Sequence, residues 1–294
     1  MSRDLDLSSE KRSAEPTRIQ RLAAALPERY AVERELGEGG AAYVLLARDT
    51  ERRELVAVKI LRPEMATVVG ERRFKREIGI IQQFKHPNIL PLLDHGTVSG
   101  LIYFTTPFIR GDTLKARLRR RKRLPLADVV SITRDVSAAL DHAHSRGIIH
   151  RDVKPANILL ADTGTVVADF GIARAVGIEN TEQITISGVT LGTPEYMAPE
   201  QCGAMKELDA RCDVYALGCV VYEMLSGAPP FTGKTDHAII NMQLHATARA
   251  ICETCPAIPA ALDEVVAKAL AKSRAQRYHS AGEFFGAIDA AARA

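Results

Sequence analysis

The stretch HRDVKPANILL, His150 to Leu160, sets an acid (Asp152), a base (Lys154), a proline and an amide (Asn157) within one short run, with strand-like apolar patches on either side. Phosphoryl transfer from ATP asks for such a set. The phosphates must be held, their charge neutralised by a metal, and a hydroxyl aimed in line. The transition state is loose, so positioning and electrostatics carry most of the catalysis. From one loop an Asp can accept the hydroxyl proton, a Lys can steady the γ-phosphate and an Asn can hold a metal ion.

The chain around this loop has 294 residues, 46% hydrophobic and 26% charged, which is ordinary for a globular protein with a sizeable core. A net charge of +3 is too mild to argue for nucleic acid. The five cysteines are scattered and odd in number, which does not read as a disulfide framework. Cys252 and Cys255 have C-x-x-C spacing, suited to a redox dithiol or half a zinc site. No second pair or His/Cys cluster completes a tetrahedral site, so they read as ordinary thiols. The N-terminus is charged and serine-bearing and lacks a signal-peptide core, and no apolar run reaches the ~20 residues of a membrane span. The expectation is a cytoplasmic chain with residues 1 to about 18 disordered.

Patterning divides the rest. YAVEREL, AAYVLLARD and ELVAVKIL read as strands, the first two separated by the glycine cluster from Gly37 to Gly40. GERRFKREIGIIQQFK carries Phe74, Ile78 and Ile81 at helical spacing. Two short strands are expected around ILPLLDHG and LIYFTTPFI. After Gly111 the pattern turns helical. LADVVSITRDVSAALDHAHSRG has Val129, Ile132, Val136 and Leu140 on one face and stops at Gly147. ARCDVYALGCVVYEMLSG is apolar nearly all round and reads as a buried helix. AALDEVVAKALAKS and SAGEFFGAIDAAARA add two amphipathic helices. The basic run Arg117 to Arg123 reads as a solvated helix end and loop, with an acidic partner or membrane surface as the alternative. A small β-rich half before a larger helical half suggests a ligand cleft between them.

Six motifs in order, LGEGGAAYV, VAVK, RFKRE, HRDVKPAN, DFG and GTPEYMAPE, make the chain from about Tyr30 to Ala290 resemble the bacterial eukaryotic-like (Hanks-type) serine/threonine protein kinases. The resemblance implies an α+β, two-lobed kinase fold, with an N-terminal extension over 1–29, an N-lobe over 30–109 and a C-lobe over 110–294. It implies ATP as cosubstrate, Mg²⁺ as the metal with Mn²⁺ as a substitute, and protein serines and threonines as acceptors. Neither nucleic acid nor a membrane span enters; back-to-back N-lobe dimers occur among relatives.

Residue by residue, the resemblance makes Asp152 the catalytic base and places Lys154 at the γ-phosphate. Asn157 and Asp169 become the metal ligands. The phosphates fall to the loop Leu36, Gly37, Glu38, Gly39, Gly40, Ala41 and Ala42, where a glycine lets backbone approach closely. Lys59 would meet the α- and β-phosphates and pair with Glu77; a lysine among buried strand neighbours needs a partner. Adenine would lie between Val44 and Ala57 above and Leu159 below. Thr106 would be the gatekeeper, Pro107 would offer a hinge carbonyl, and Ile109 both an N–H and a carbonyl. His150 would stack under Phe170 with Ile81 continuing the stack, Asp213 would cap the catalytic-loop backbone, and Glu200 and Arg277 would form an ion pair.

Ala42 stands where the family has its third loop glycine, and a methyl group there restricts positive φ. Lys154 and Thr193 match the serine/threonine class. Arg151 beside the base implies control by phosphate on the activation segment, where Thr185 and Ser187 are the favoured autophosphorylation sites among Thr181, Thr185, Ser187 and Thr190. Two other readings compete. A pseudokinase scaffold would lose the base or a metal ligand, and all are present. A small-molecule kinase would lack GTPEYMAPE.

Overall fold

The computed structural model describes residues 17–38, 42–62, 74, 78–79, 81–170, 193–203, 205, 207–256 and 258–294. Five strands, β1 (Tyr30–Glu38), β2 (Ala42–Asp49), β3 (Glu54–Leu61), β4 (Asp94–Val98) and β5 (Leu101–Pro107), form one antiparallel sheet in the order β1-β2-β3-β5-β4. Alternation along a strand gives the sheet two different faces. Val56, Val58 and Ile60 of β3 join Leu45, Ala47, Tyr30 and Tyr103 in one core. The intervening Ala57 and Lys59 look the other way. Register then adds Leu46 and Thr106, opposite Ala57, and Val44 and Phe104, opposite Lys59, to that second face.

A short helix, α1 (Arg18–Ala25), precedes the sheet. Thr17 caps it, its hydroxyl accepting from Gln20 N while Gln20 Oε1 accepts from Thr17 N. Leu22 and Leu26 seat α1 on the sheet core. Most of the helix expected over GERRFKREIGIIQQFK lies outside the described residues; Phe74, Ile78 and Ile81 within it are buried.

The strand expected around ILPLLDHG begins later, at Asp94. Asn88 and Leu90, on either side of Ile89, instead bond the C-terminal half: Leu90 N donates to Val167 O at 2.9 Å, Val167 N to Asn88 O at 2.8 Å, and the Asn88 amide to Thr165 O at 2.8 Å. Pro91, which has no N–H to give a ladder, follows at once.

Beyond β5, a three-stranded sheet is made of β6 (Gly111–Thr113), β7 (Ile158–Ala161) and β8 (Gly164–Val167). The helices are α2 (Leu114–Arg121), α3 (Leu126–His144), α4 (Pro199–Cys202), α5 (Arg211–Ser226), α6 (Asp236–His245), α7 (Ile251–Thr254), α8 (Ala260–Ala269) and α9 (Ala281–Arg293). The basic run is a helix end and loop, as its sequence suggested. α2 buries Leu114 and Leu118 and turns Arg119, Arg120 and Arg121 outward. α5 is the central post, buried on nearly every side, with α3, α8 and α9 packed on it. It ends at Gly227, whose φ of +94° suits a residue without Cβ. All five cysteines are free thiols, Cys252 and Cys255 included.

The Glu200–Arg277 pair joins α4 to the loop before α9. Arg277 Nη1 and Nη2 reach the two Glu200 oxygens at 2.6 and 2.7 Å, and the guanidinium also donates to Ala271 O, Lys272 O and Arg211 O. A buried pair is stabilising only when its remaining donors are satisfied, as they are here. Arg277→Ala strands the Glu200 charge in the interior, so a loss of about 3–5 kcal/mol is expected, read as a lower midpoint in urea unfolding.

Candidate active site

The loop His150–Asn157 is shaped from beneath by α5. Asp213, in the first turn of that helix, is completely buried. Its Oδ2 accepts from His150 N at 2.8 Å and from His144 Nε2 at 2.7 Å, and its Oδ1 from Arg151 N at 2.8 Å. Burial pushes this carboxyl up, but the His144 bond and charge and the backbone donors hold it below the ordinary carboxylate value. Arg151 takes a φ of +68°, a conformation that a side chain with Cβ adopts rarely. On its other side, Arg151 O accepts from the Gln201 amide at 2.9 Å.

His150 is fully committed. Its Nε2 bonds Ala168 O at 2.9 Å, its Nδ1 accepts from Asp152 N at 3.3 Å, and its ring lies 4.6 Å from that of Phe170. With both ring nitrogens engaged, it orients the loop rather than exchanging a proton. The Phe170 ring also meets Phe84, 6.3 Å away, a partner the sequence did not single out; Ile81 is buried nearby in sequence.

Asp152, Lys154 and Asn157 come together. Lys154 Nζ lies 2.8 Å from Asp152 Oδ2, and the Asn157 amide nitrogen donates to Asp152 O at 2.9 Å and Oδ2 at 3.1 Å. That leaves the Asn157 carbonyl oxygen as the group this amide can offer a metal. Ala168 N donates to Asn157 O at 2.8 Å, which sets Asp169 beside the loop. Asp169, at φ +65°, receives the Lys59 ammonium of β3 on its Oδ1. Burial pushes the Asp169 carboxyl up; the charge and hydrogen bond of Lys59, with Lys154 behind, hold it below its usual 3.8.

The expected Lys59–Glu77 pair cannot be drawn, because Glu77 lies outside the described residues, as do Gly39, Gly40, Ala41, Thr185 and Ser187. Of the phosphate loop, Leu36, Gly37 and Glu38 end β1 and Ala42 begins β2. Val44, Ala57 and Thr106 share the sheet face that carries Lys59. Leu159 and Ile109 pack on Leu90, Val166 and Ala168. The Thr106 hydroxyl is buried and meets no hydrogen-bond partner among the described residues. Pro107 closes β5 opposite Val56, and Phe108 N is spent on Leu55 O at 3.0 Å.

The Asp169 carboxylate and Asn157 amide oxygen are hard donors of the kind Mg²⁺ takes, and a site with so few protein ligands leaves room for phosphate oxygens and water. Among the described residues no three His, Cys, Asp or Glu side chains gather into a metal cluster. Sequence reasoning missed His144 and Gln201, whose only signal was proximity in the chain to the catalytic loop and to the APE motif.

The family model described as "Protein kinase domain" matches residues 30–284. The chain belongs to the protein kinase family. Relatives include the probable serine/threonine-protein kinase PknB of Bifidobacterium longum, 39% identical over 87% of this chain, and the serine/threonine-protein kinase PknD of Mycobacterium tuberculosis, 38% identical over 86%. The chain spans only 38% of the length of each. The crystal structure of the Mycobacterium tuberculosis PknI kinase domain superposes with a TM-score of 0.72 at 30% identity, over 92% of this chain and 99% of that one. The architecture is thus the two-lobed kinase fold, and the family implies ATP and a divalent metal. Among the described residues no helix is long and apolar enough to cross a membrane.

Because the Lys59 charge and hydrogen bond oppose burial at Asp169, Lys59→Met is expected to raise the Asp169 carboxyl relative to wild type. Carboxyl ¹³C NMR titration of the two proteins checks it.

Proposed function

We propose that this domain transfers the γ-phosphoryl group of ATP to serine and threonine hydroxyls of proteins, with Mg²⁺ as its metal and Mn²⁺ as a substitute, in the cytoplasm where MgATP is held. The observation that carries the reading is the approach of the Lys59–Asp169 pair to the Asp152, Lys154 and Asn157 group, with the Lys154 charge acting on Asp169. Asp152 accepts the proton of the incoming hydroxyl. Lys154, at its side, neutralises charge on the phosphoryl group in transit. Lys59 holds the α- and β-phosphates, and binding MgATP would draw it and Asp169 from their direct pair toward phosphate and metal. Asp169 and Asn157 hold the metal, which supplies charge neutralisation on the phosphates when bound. Val44, Ala57 and Leu159 enclose the base, with Thr106 at the rear and Pro107 and Ile109 at the hinge.

Activation by autophosphorylation fits the same site. Arg151 presents a guanidinium whose buried Nε has no hydrogen-bond partner among the described residues, next to the base it would steady. A phosphate on Thr185 or Ser187 would give that charge its counter-ion. A pseudokinase is disfavoured because Lys59, Asp152, Asn157 and Asp169 are all present in the sequence.

Incubation with MgATP and a generic basic protein is expected to show phosphate transfer. Asp152→Asn should lower the rate by roughly 10²-fold or more, and phosphosite mapping of active wild type should find Thr185 or Ser187 modified. No transfer from wild type, even after treatment by another kinase, would leave a scaffold. Active protein with an unmodified segment would remove the regulatory part.

A further inference from the structure

β1 ends at Glu38 and β2 begins at Ala42, so Glu38 and its register partner Tyr43 form the stem of the phosphate loop. Two arginines close on that stem. Arg62, just past β3, bonds Glu38 and lies with its guanidinium carbon 5.0 Å from the Tyr43 ring centre. Arg18, in the first turn of α1, reaches Glu38 at 3.0 Å and Glu35 at 3.1 Å, and its guanidinium carbon lies 4.9 Å from the same ring. The Tyr43 ring thus carries a guanidinium from each side of the sequence, one from the sheet and one from outside it. α1 is not adrift when it does this, because Leu22 and Leu26 fix it to the sheet core and Thr17 starts it.

We propose that α1 belongs to the nucleotide-binding machinery, with Arg18 a positioning residue that sets the phosphate loop through Glu38 and Tyr43. The inference rests on the kinase reading, since it assigns the loop to phosphate. Its physical logic lies in the loop's composition. Two arginines share the Glu38 carboxylate, so the carboxylate is held back on the stem instead of standing free to repel an incoming triphosphate. A lone exposed ion pair contributes little, but here two cations, two carboxylates and an aromatic face act as one network, which raises the worth of each member. Arg18 never touches substrate; it acts through the strand pair.

The test compares wild type, Arg18→Ala, Glu38→Gln, the double variant and Arg21→Ala, whose arginine is exposed on the same helix and outside the network. MgATP affinity is read by calorimetry, KM for ATP and kcat by phosphate transfer, and folding by the thermal midpoint. Arg18→Ala is expected to weaken ATP binding and raise its KM about fivefold, with kcat at saturating ATP and the thermal midpoint near wild type. Arg21→Ala should match wild type. The double variant should fall short of the product of its two single effects, the mark of coupled residues. Unchanged ATP affinity in Arg18→Ala, an equal fall in kcat and midpoint without a KM change, or independent single effects would overturn the proposal. A wild type that binds no MgATP would instead overturn the kinase reading, and this inference with it.

Discussion

One buried carboxylate, Asp213, holds the geometry on which the rest of the site depends. It faces two consecutive backbone N–H groups, those of His150 and Arg151, and the His144 ring. Arg151 is bent into the left-handed region, a conformation that costs about 1–3 kcal/mol. Each hydrogen bond to a charged acceptor returns about 1.5–3 kcal/mol. Two such bonds flanking the strained residue are enough to hold the turn, and the third fixes the carboxylate itself. Asp213 can do this because α5 is rigid and buried, so the carboxylate is a fixed point rather than a mobile side chain.

From that point the constraint passes outward by contact. His150, aimed by the same turn, bonds Ala168 O and supports Phe170, which places Asp169 between them in sequence and against Lys59 in space. Asn157 accepts Ala168 N from the other side. The catalytic loop and the DFG stretch are therefore one hydrogen-bonded unit, and Lys59 is the charge that ties it to the sheet. A second tie runs through Asn88, Ile89 and Leu90 to β8. The two halves meet at the Lys59–Asp169 pair and at the backbone ladder between Asn88–Leu90 and β8.

Much of this was legible in the sequence because the relevant signals were local. The β-branched run around Lys59 read as a strand and is β3, and the helices α3, α5, α8 and α9 lie where the apolar patterning put them, α3 ending just before the stop at Gly147. Less local features escaped. α6 lacks a clean apolar stripe, and its buried Gln243 is held by Tyr215 and Pro194 from distant elements. The strand near Ile89 was misplaced because its apolar residues are spent on β8, which pattern alone cannot reveal. His144, Gln201 and Arg18 act through partners 69, 50 and 17 or more positions away in the chain, and no spacing rule spans that.

The most direct measurement is on Asp213→Asn, which keeps the shape and removes the charge. Amide hydrogen exchange at His150 and Arg151 should speed up, and kcat should fall with ATP affinity close to wild type, since the nucleotide-holding groups on the sheet are untouched. Native protection of those two amides together with an undiminished kcat would contradict the account at its base.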